Sequence, residues 1–294
     1  MASIMTNAAA LTALQSLSAT NKALEQTQSR ISTGLRVSTA SDNAAYWSIA
    51  TTMRSDNKAN SAVQDALGLG AGKVDTAYAA IVDVKTEVDK IKTKLLAAMG
   101  KGQDIQKQIA TEIRAIQAGI RSSVANATYA GTNMLQTDGT AASDLKIIAA
   151  YNRTGTTVNI DTINIAAIDT QVLDVAGTGG FVGGLLATGF FDPSAAALTD
   201  AAITTALGAV ETALVKLADG AATLGAAKSR IDTQKSFLSN LTDSIDRGVG
   251  QLVDADMDRE STKLQALQVQ QQLGIQALSI ANSNAQSILA LFKS

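Results

Sequence analysis

Cysteine and histidine are both absent from this 294-residue chain, proline occurs once, at Pro193, and aromatic residues make up only 3%. Without Cys or His there is no disulfide framework, no thiolate nucleophile and no Cys/His zinc site, and a Ser-His-Asp triad loses its base. A metalloprotease motif of the H-E-x-x-H type is equally excluded. Few aromatics mean that any core is built from aliphatic side chains, and a single proline leaves long helices unbroken. The net charge is −2, with lysines and arginines scattered among acids, so no basic field for nucleic acid exists. No apolar run approaches the roughly 18 residues of a membrane-spanning helix. The start, M-A-S-I-M-T-N-A-A-A-L, has no basic residue before Lys22, unlike a cleavable secretory signal. These absences predict a protein that is not an enzyme and has no cofactor, metal, nucleic-acid or membrane partner.

What is present is periodicity. From Tyr46 a three-four spacing runs through Ile49, Met53, Asp56, Asn60, Val63, Leu67, Gly70, Val74 and Ala77, then Ile81, Val84, Val88, Ile91, Leu95 and Ala98. This is the coiled-coil period, with polar lapses at Asp56 and Asn60 and a weak point at Gly70. At about 1.5 Å per residue the segment predicts a rod on the order of 80 Å long. Gly100-Lys101-Gly102 breaks it, and Ile105, Ile109, Ile113, Ile116 and Ile120 suggest a second amphipathic stripe. Farther on, Ile203, Val210, Leu217, Leu224, Ile231, Leu238, Ile245 and Leu252 recur every seven residues, flanked by Leu207, Leu214 and Ala221 before Lys228 and Lys235. Such repetition requires a partner helix, and the 46–98 segment matches in length.

The ends carry thinner stripes: Leu14, Leu17, Leu24, Ile31 and Leu35 at one, Leu267, Leu278, Ala285, Ile288 and Phe292 at the other, with Val269, Leu273, Ile280 and Leu291 beside them. One narrow stripe per helix falls short of the entropy lost on ordering the chain, which predicts folding of the ends coupled to self-association. Between about 140 and 200 the pattern changes. Leu145–Ala149 and Thr157–Ile160 have strand composition, with a turn at Asn152–Gly155 and a glycine-rich loop after them. The predicted fold is mostly α: an elongated antiparallel coiled-coil helical bundle with paired terminal helices and a small β-hairpin insert at the tip.

The motifs that imitate chemistry fail on inspection. Asp254-Ala255-Asp256-Met257-Asp258 opens like a calcium loop, but the sixth position is Arg259 and the twelfth Gln265, where glycine and glutamate are needed. Neither Gly68–Gly72 nor the 177–184 cluster spells G-x-G-x-x-G, so both read as flexible backbone. Lys85, Lys90, Lys92 and Lys94 alternate with Asp83, Glu87 and Asp89, which reads as a solvated helix face rather than an anion site. Sequons at Asn126, Asn152 and Asn240 are short enough to be chance matches.

Two segments resemble a known family. Ser29-Arg30-Ile31-Ser32-Thr33-Gly34-Leu35-Arg36-Val37 with Ala40-Ser41-Asp42-Asn43-Ala44-Ala45 is similar to the N-terminal signature of bacterial flagellins. Asp254-Ala255-Asp256, Gln271-Gln272-Leu273-Gly274, Leu278, Ala281-Asn282 and Ile288-Leu289-Ala290-Leu291-Phe292-Lys293 resemble their C-terminal part. The likeness covers about 1–135 and 200–294, and Tyr46-Trp47 in place of Gly-Leu resembles the alphaproteobacterial, rhizobial-type branch. It implies a structural subunit of the flagellar filament, extracellular, exported unfolded by the flagellar type III apparatus without a cleavable signal.

The resemblance further implies an inner tube around a central channel, assembled through Leu14, Leu17, Leu24, Ile31, Leu35, Leu273, Leu278, Ile280, Ile288, Leu291 and Phe292. An outer shell would pack Ile81, Val84, Val88, Ile91 and Leu95 against Val210, Leu217, Leu224, Ile231, Leu238 and Ile245. The corresponding division is 1–40 with 254–294 (inner), 41–165 with 199–253 (coiled coil and hairpin), and 166–198 as a short variable outer loop region. Implied partners are further copies of the chain, the export apparatus and its chaperone, the filament cap, hook-junction proteins and other flagellin isoforms. The alternatives are a hook–filament junction protein and a secreted coiled-coil effector.

Departures from the family pattern carry their own expectations. The segment read by an innate immune receptor of animals falls on Lys90-Ile91-Lys92-Thr93-Lys94, where Thr93 and Lys94 replace an acid and a leucine; weak receptor activation follows. The 29–50 segment corresponds to the peptide sensed by plants, and its changes at Ser41, Asn43, Tyr46 and Trp47 imply evasion. Tyr46 falls on the seam and is expected to face the coiled-coil interior. Trp47, about 100° round the helix, packs either on the 231–252 helix or on an adjacent subunit.

Overall fold

The computed structural model describes residues 7–293 except 156, 188 and 195–198, with side chains described as far as Ser283. The element order is α1 (Ala8–Thr33), α2 (Ala44–Ala98), α3 (Gln103–Asn126), β1 (Thr128–Tyr129), β2 (Thr132–Asn133), β3 (Gln136–Thr137), β4 (Leu145–Thr154), β5 (Thr157–Ile165), β6 (Leu173–Asp174), α4 (Gly183–Leu186), α5 (Asp200–Val253) and α6 (Met257–Lys293). Caps mark where the long helices begin. The Asn7 side chain accepts from the Ala10 amide, Asn43 from Tyr46, Thr199 from Ala202 and Asp256 from Arg259. Gly34, at φ 72° in the left-handed region, closes α1 by donating to the Arg30 carbonyl.

The chain divides into two compact units, one from Met1–Asn57 with Asp243–Ser294 and one from Lys58–Thr242. In the second, α2 and α5 run antiparallel, as the pairs Asp75–Lys228 and Lys92–Glu211 show. The seam of α2 is buried at every three-four step from Asn60 to Ala98. Opposite it, Ile203, Val210, Leu217, Leu224, Ile231 and Leu238 are buried on α5. Each large aliphatic side chain closed off in this way contributes about 1.5–3 kcal/mol. Contrary to the sequence expectation, α5 contains an 18-residue window of mean hydropathy 1.4, enough by length and composition to cross a membrane. Much of that apolarity is alanine, and the larger side chains of its seven-residue repeat lie in the core of this unit.

The third helix corrects the predicted stripe. Ile105 is exposed and Ile109 and Ile116 are half-buried, while Gln106, Ala110, Ile113, Gln117, Ile120 and Val124 face the core. Two buried glutamines hid this face from a count of isoleucines. Both donate to main-chain carbonyls, Gln106 to Ala98 and Gln117 to Leu185, which is what permits their burial.

Because α3 returns along α2 before any strand forms, the hairpin lands beside the middle of α2 rather than at a tip. Lys94–Glu112 ties the two helices. The strands β4 and β5 are longer than predicted: Asn152, Arg153 and Thr154 are still paired, and Gly155 at φ 64° stands at the reversal. Ile147, Ile163 and Ile165 turn inward. Gly70, the weak point of the seam, is where this sheet touches the helix, since a Cβ there would lie 2.7 Å from the Ile147 side chain. The glycine-rich 166–198 segment supplies Val172, Leu173, Val182, Leu185, Leu186 and Phe191 to the same core.

Candidate assembly surfaces

In the first unit α1 packs along α6 in antiparallel fashion. The Asn7 side chain donates to the Ala281 carbonyl at 2.9 Å, Gln271 to Asn21 at 2.8 Å, and Arg30 to the Glu260 carboxylate at 3.2 Å. The strand-like connectors meet beyond them. Leu35 bridges Asp254, the Ala255 amide donates to the Gly34 carbonyl and the Arg36 amide to Val253. A small core of Val37, Ala50, Val249 and Val253 forms where the first connector crosses α2 and the end of α5. The Asn57 side chain donates to Asp246 at 2.5 Å in the same unit.

Burial is thin on this helix pair. Leu17, Leu24, Ile31, Leu35 and Leu278 are half-buried, whereas Leu14 (54%), Leu273 (58%) and Ile280 (61%) stay open, as do Leu11, Val269 and Ile275. The side chains of Ile288, Leu291 and Phe292 lie outside the described residues. The sequence signal for these positions was their stripe, and the stripe alone did not separate residues that are half-buried in the helix pair from residues left largely open in the single chain.

Tyr46 does not face the coiled-coil interior. It is 41% exposed and Trp47 39%, with Ile49 open beside them. The buried position at this end of α2 is Ala50, with Met53 half-buried against the same small core. Alanine lets the Val37 connector approach the helix closely, so the seam steps over by one residue and leaves the aromatics outside it. On α5 the step is similar. Ile245 and Leu252 are half-buried, and Val249 and Val253 carry the core. A straight helix drifts about 20° per heptad, so a strict seven-residue repeat does not keep one face buried along its whole length.

The core positions Ile81, Val84, Val88, Ile91 and Leu95 are fully buried. Around them Lys90, Lys92 and Lys94 are paired. Lys90 meets Glu87 at 2.6 Å on its own helix, Lys92 meets Glu211 of α5 at 2.5 Å, and Lys94 meets Glu112 of α3 at 2.6 Å. Hydrogen bonding to Glu211 and its charge raise the Lys92 pKa. Thr93 donates to the Lys90 carbonyl. The cluster that read as one solvated face therefore also ties α2 to two neighbours. Asp254 and Asp256 serve the connector and a helix cap.

Paired terminal helices that leave several of their large apolar side chains open point to the class: a structural helical subunit with surface suited to association. Comparison with known proteins agrees. Residues 4–140 match the bacterial flagellin N-terminal helical region and residues 207–292 the C-terminal helical region. The chain is 61% identical to a flagellin of Brucella melitensis over 293 residues, covering the whole of both chains. It is 47% identical to flagellin C and 38% to flagellin A of Rhizobium meliloti (strain 1021), again over the full length of each chain. The chain belongs to the bacterial flagellin family, and it is a structural subunit that self-assembles into the extracellular flagellar filament.

Proposed function

We propose that α1 and α6 form an inner tube around the channel of the filament, and that they complete their folding only when neighbouring copies cover them. The observation that carries this reading is the exposure of Leu14, Leu273 and Ile280, each more than half open in the single chain. Leu17, Leu24, Ile31, Leu35 and Leu278 would join them, with Ile288, Leu291 and Phe292 continuing the stripe by sequence. In this arrangement 1–40 with 254–294 is the inner layer and 41–165 with 199–253 the surrounding shell. Residues 166–198 add a short segment too small to be a domain, part of which packs into the core of that shell.

Tyr46 and Trp47 serve as aromatic anchors on an adjacent subunit; their exposure supports this role. The altered Lys90, Lys92, Thr93 and Lys94 segment leaves the animal innate receptor weakly activated. Export through the type III apparatus, with its chaperone, and growth under a cap beyond hook-junction proteins follow from the family, as does sharing a filament with other isoforms.

The test is Leu14→Asp and Leu273→Asp, made separately. Both sites are open in the single chain, so its helix content by circular dichroism should stay as in the unmodified protein while long filaments disappear from negative-stain images. Filaments of ordinary length and number in both variants would overturn the reading.

A further inference from the structure

We infer that the Arg30–Glu260 ion pair sets the register in which α1 and α6 pair, a task their apolar side chains perform only in part. On α1 the buried residue is a threonine, Thr27, and on the described part of α6 it is Leu267. The rest of the half-buried surface is small or amide side chains such as Ala13, Thr20, Asn21 and Gln271, with Leu17, Leu24, Ile31, Leu264 and Leu278 among them. One apolar contact does select a register, since a Cβ at Gly274 would lie 3.2 Å from the Leu17 side chain and a one-turn slide brings Gln270 or Leu278 there. Elsewhere small and amide side chains discriminate weakly.

The ion pair discriminates strongly. Arg30 Nη1 lies 3.2 Å from Glu260 Oε1, and the two side chains are only 24% and 12% exposed. A one-turn slide moves them about 5.4 Å apart along the axis. It leaves the carboxylate in closed surroundings without its cation, which is the state that a buried ion pair makes costly. Glu260 has no reserve, because its second oxygen, Oε2, is already buried without a hydrogen-bond partner. Among the described residues no other ion pair joins α1 to α6.

The remaining ties are less selective. Asn7 donates to a main-chain carbonyl, and another carbonyl lies one turn away along the helix. Asn21 and Gln271 are neutral amides on adaptable side chains. Near the connectors, the Gly34–Ala255 and Arg36–Val253 main-chain bonds hold residues outside both helices. Glu260, in the first turn of α6, carries that alignment into the helix. A partly buried charge acts here as polar residues do in coiled coils, trading stability for a single register.

The chain has no cysteine, so an introduced pair is the sole thiol pair. Asn21→Cys with Gln271→Cys reports the observed register, and Asn21→Cys with Ile275→Cys a one-turn slip. Intrachain cross-links are read by peptide mass spectrometry on the full chain under polymerising conditions, whether or not filaments form. With Arg30 and Glu260 intact, the first link should exceed the second by at least about tenfold. In Arg30→Met with Glu260→Met the two yields should approach each other, and the exchange Arg30→Glu with Glu260→Arg should restore the bias. An undiminished bias in the double methionine variant overturns the inference. So does loss of both links there, which would mean that the pair supplies adhesion rather than register, and so does failure of the exchange to restore the bias.

Discussion

Asp42 is exposed, yet its Oδ2 accepts from the amides of Thr39 and Ser38 at 3.0 and 3.1 Å and from both hydroxyls at 3.1 and 3.2 Å. These bonds, the Thr39 amide first, hold its pKa below the ordinary value of 3.8. A group whose folded pKa is depressed stabilises the folded state above its unfolded value and loses that contribution as pH falls through the folded one. Asp42→Ala should therefore lower Tm at neutral pH, and the gap to the unmodified chain should close only below the usual carboxylate range. A gap that stayed constant through that acid range would show that the turn does not depend on this charge. In the sequence Asp42 was visible only as part of a family motif. Its role as the acceptor that closes the connector depends on backbone geometry that residue types do not state.

On the scale of elements, burial separates positions that look alike as letters. Leu224 and Val215 both lie on α5, but Leu224 is fully buried and Val215 is largely open. Leu224→Ala should cost about 2–5 kcal/mol in denaturant unfolding, through lost transfer energy and a residual cavity. Val215→Ala should stay within about 0.5 kcal/mol, as surface substitutions do. Equal losses at both sites would contradict the antiparallel packing of α2 on α5. The long seams were legible because a period of three and four repeats over many turns and averages out local exceptions. The α3 face was not, since its buried glutamines satisfy their amides through carbonyls that only the fold brings near. The ends of the α2 and α5 seams were misread for a related reason: the partner there is a connector and a small valine-alanine core, not a second long stripe.

For the whole molecule, the contrast is between a deep core in one unit and a thin helix pair in the other. Within residues 58–242 aliphatic side chains are closed off in large number, whereas α1 and the described part of α6 leave many of theirs open. Terminal helices of this kind should gain helical structure when copies assemble. Circular dichroism of the soluble chain should show less helix than the polymerised form, and limited proteolysis of the soluble chain should remove both ends before the middle. The same helix content in both states would argue that α1 and α6 are stable unaided.

The absence of cysteine, histidine and aromatic bulk, together with the long three-four and seven-residue periods, determined from the sequence alone that the chain is helical and aliphatic, and the thin stripes at its ends predicted self-association. Two terminal motifs pointed to its family. Periodicity acts locally, through the 3.6-residue turn, so it specifies which segments are helices and roughly which face is apolar. Tertiary structure alone decided where those faces end. It set Ala50 rather than Tyr46 against the small core, brought Ile147 onto Gly70 in mid-helix, buried part of the glycine-rich segment, and placed Arg30 against Glu260. Each of these contacts joins residues far apart in the chain, and its energy depends on what else is excluded from the same space, which no local pattern records.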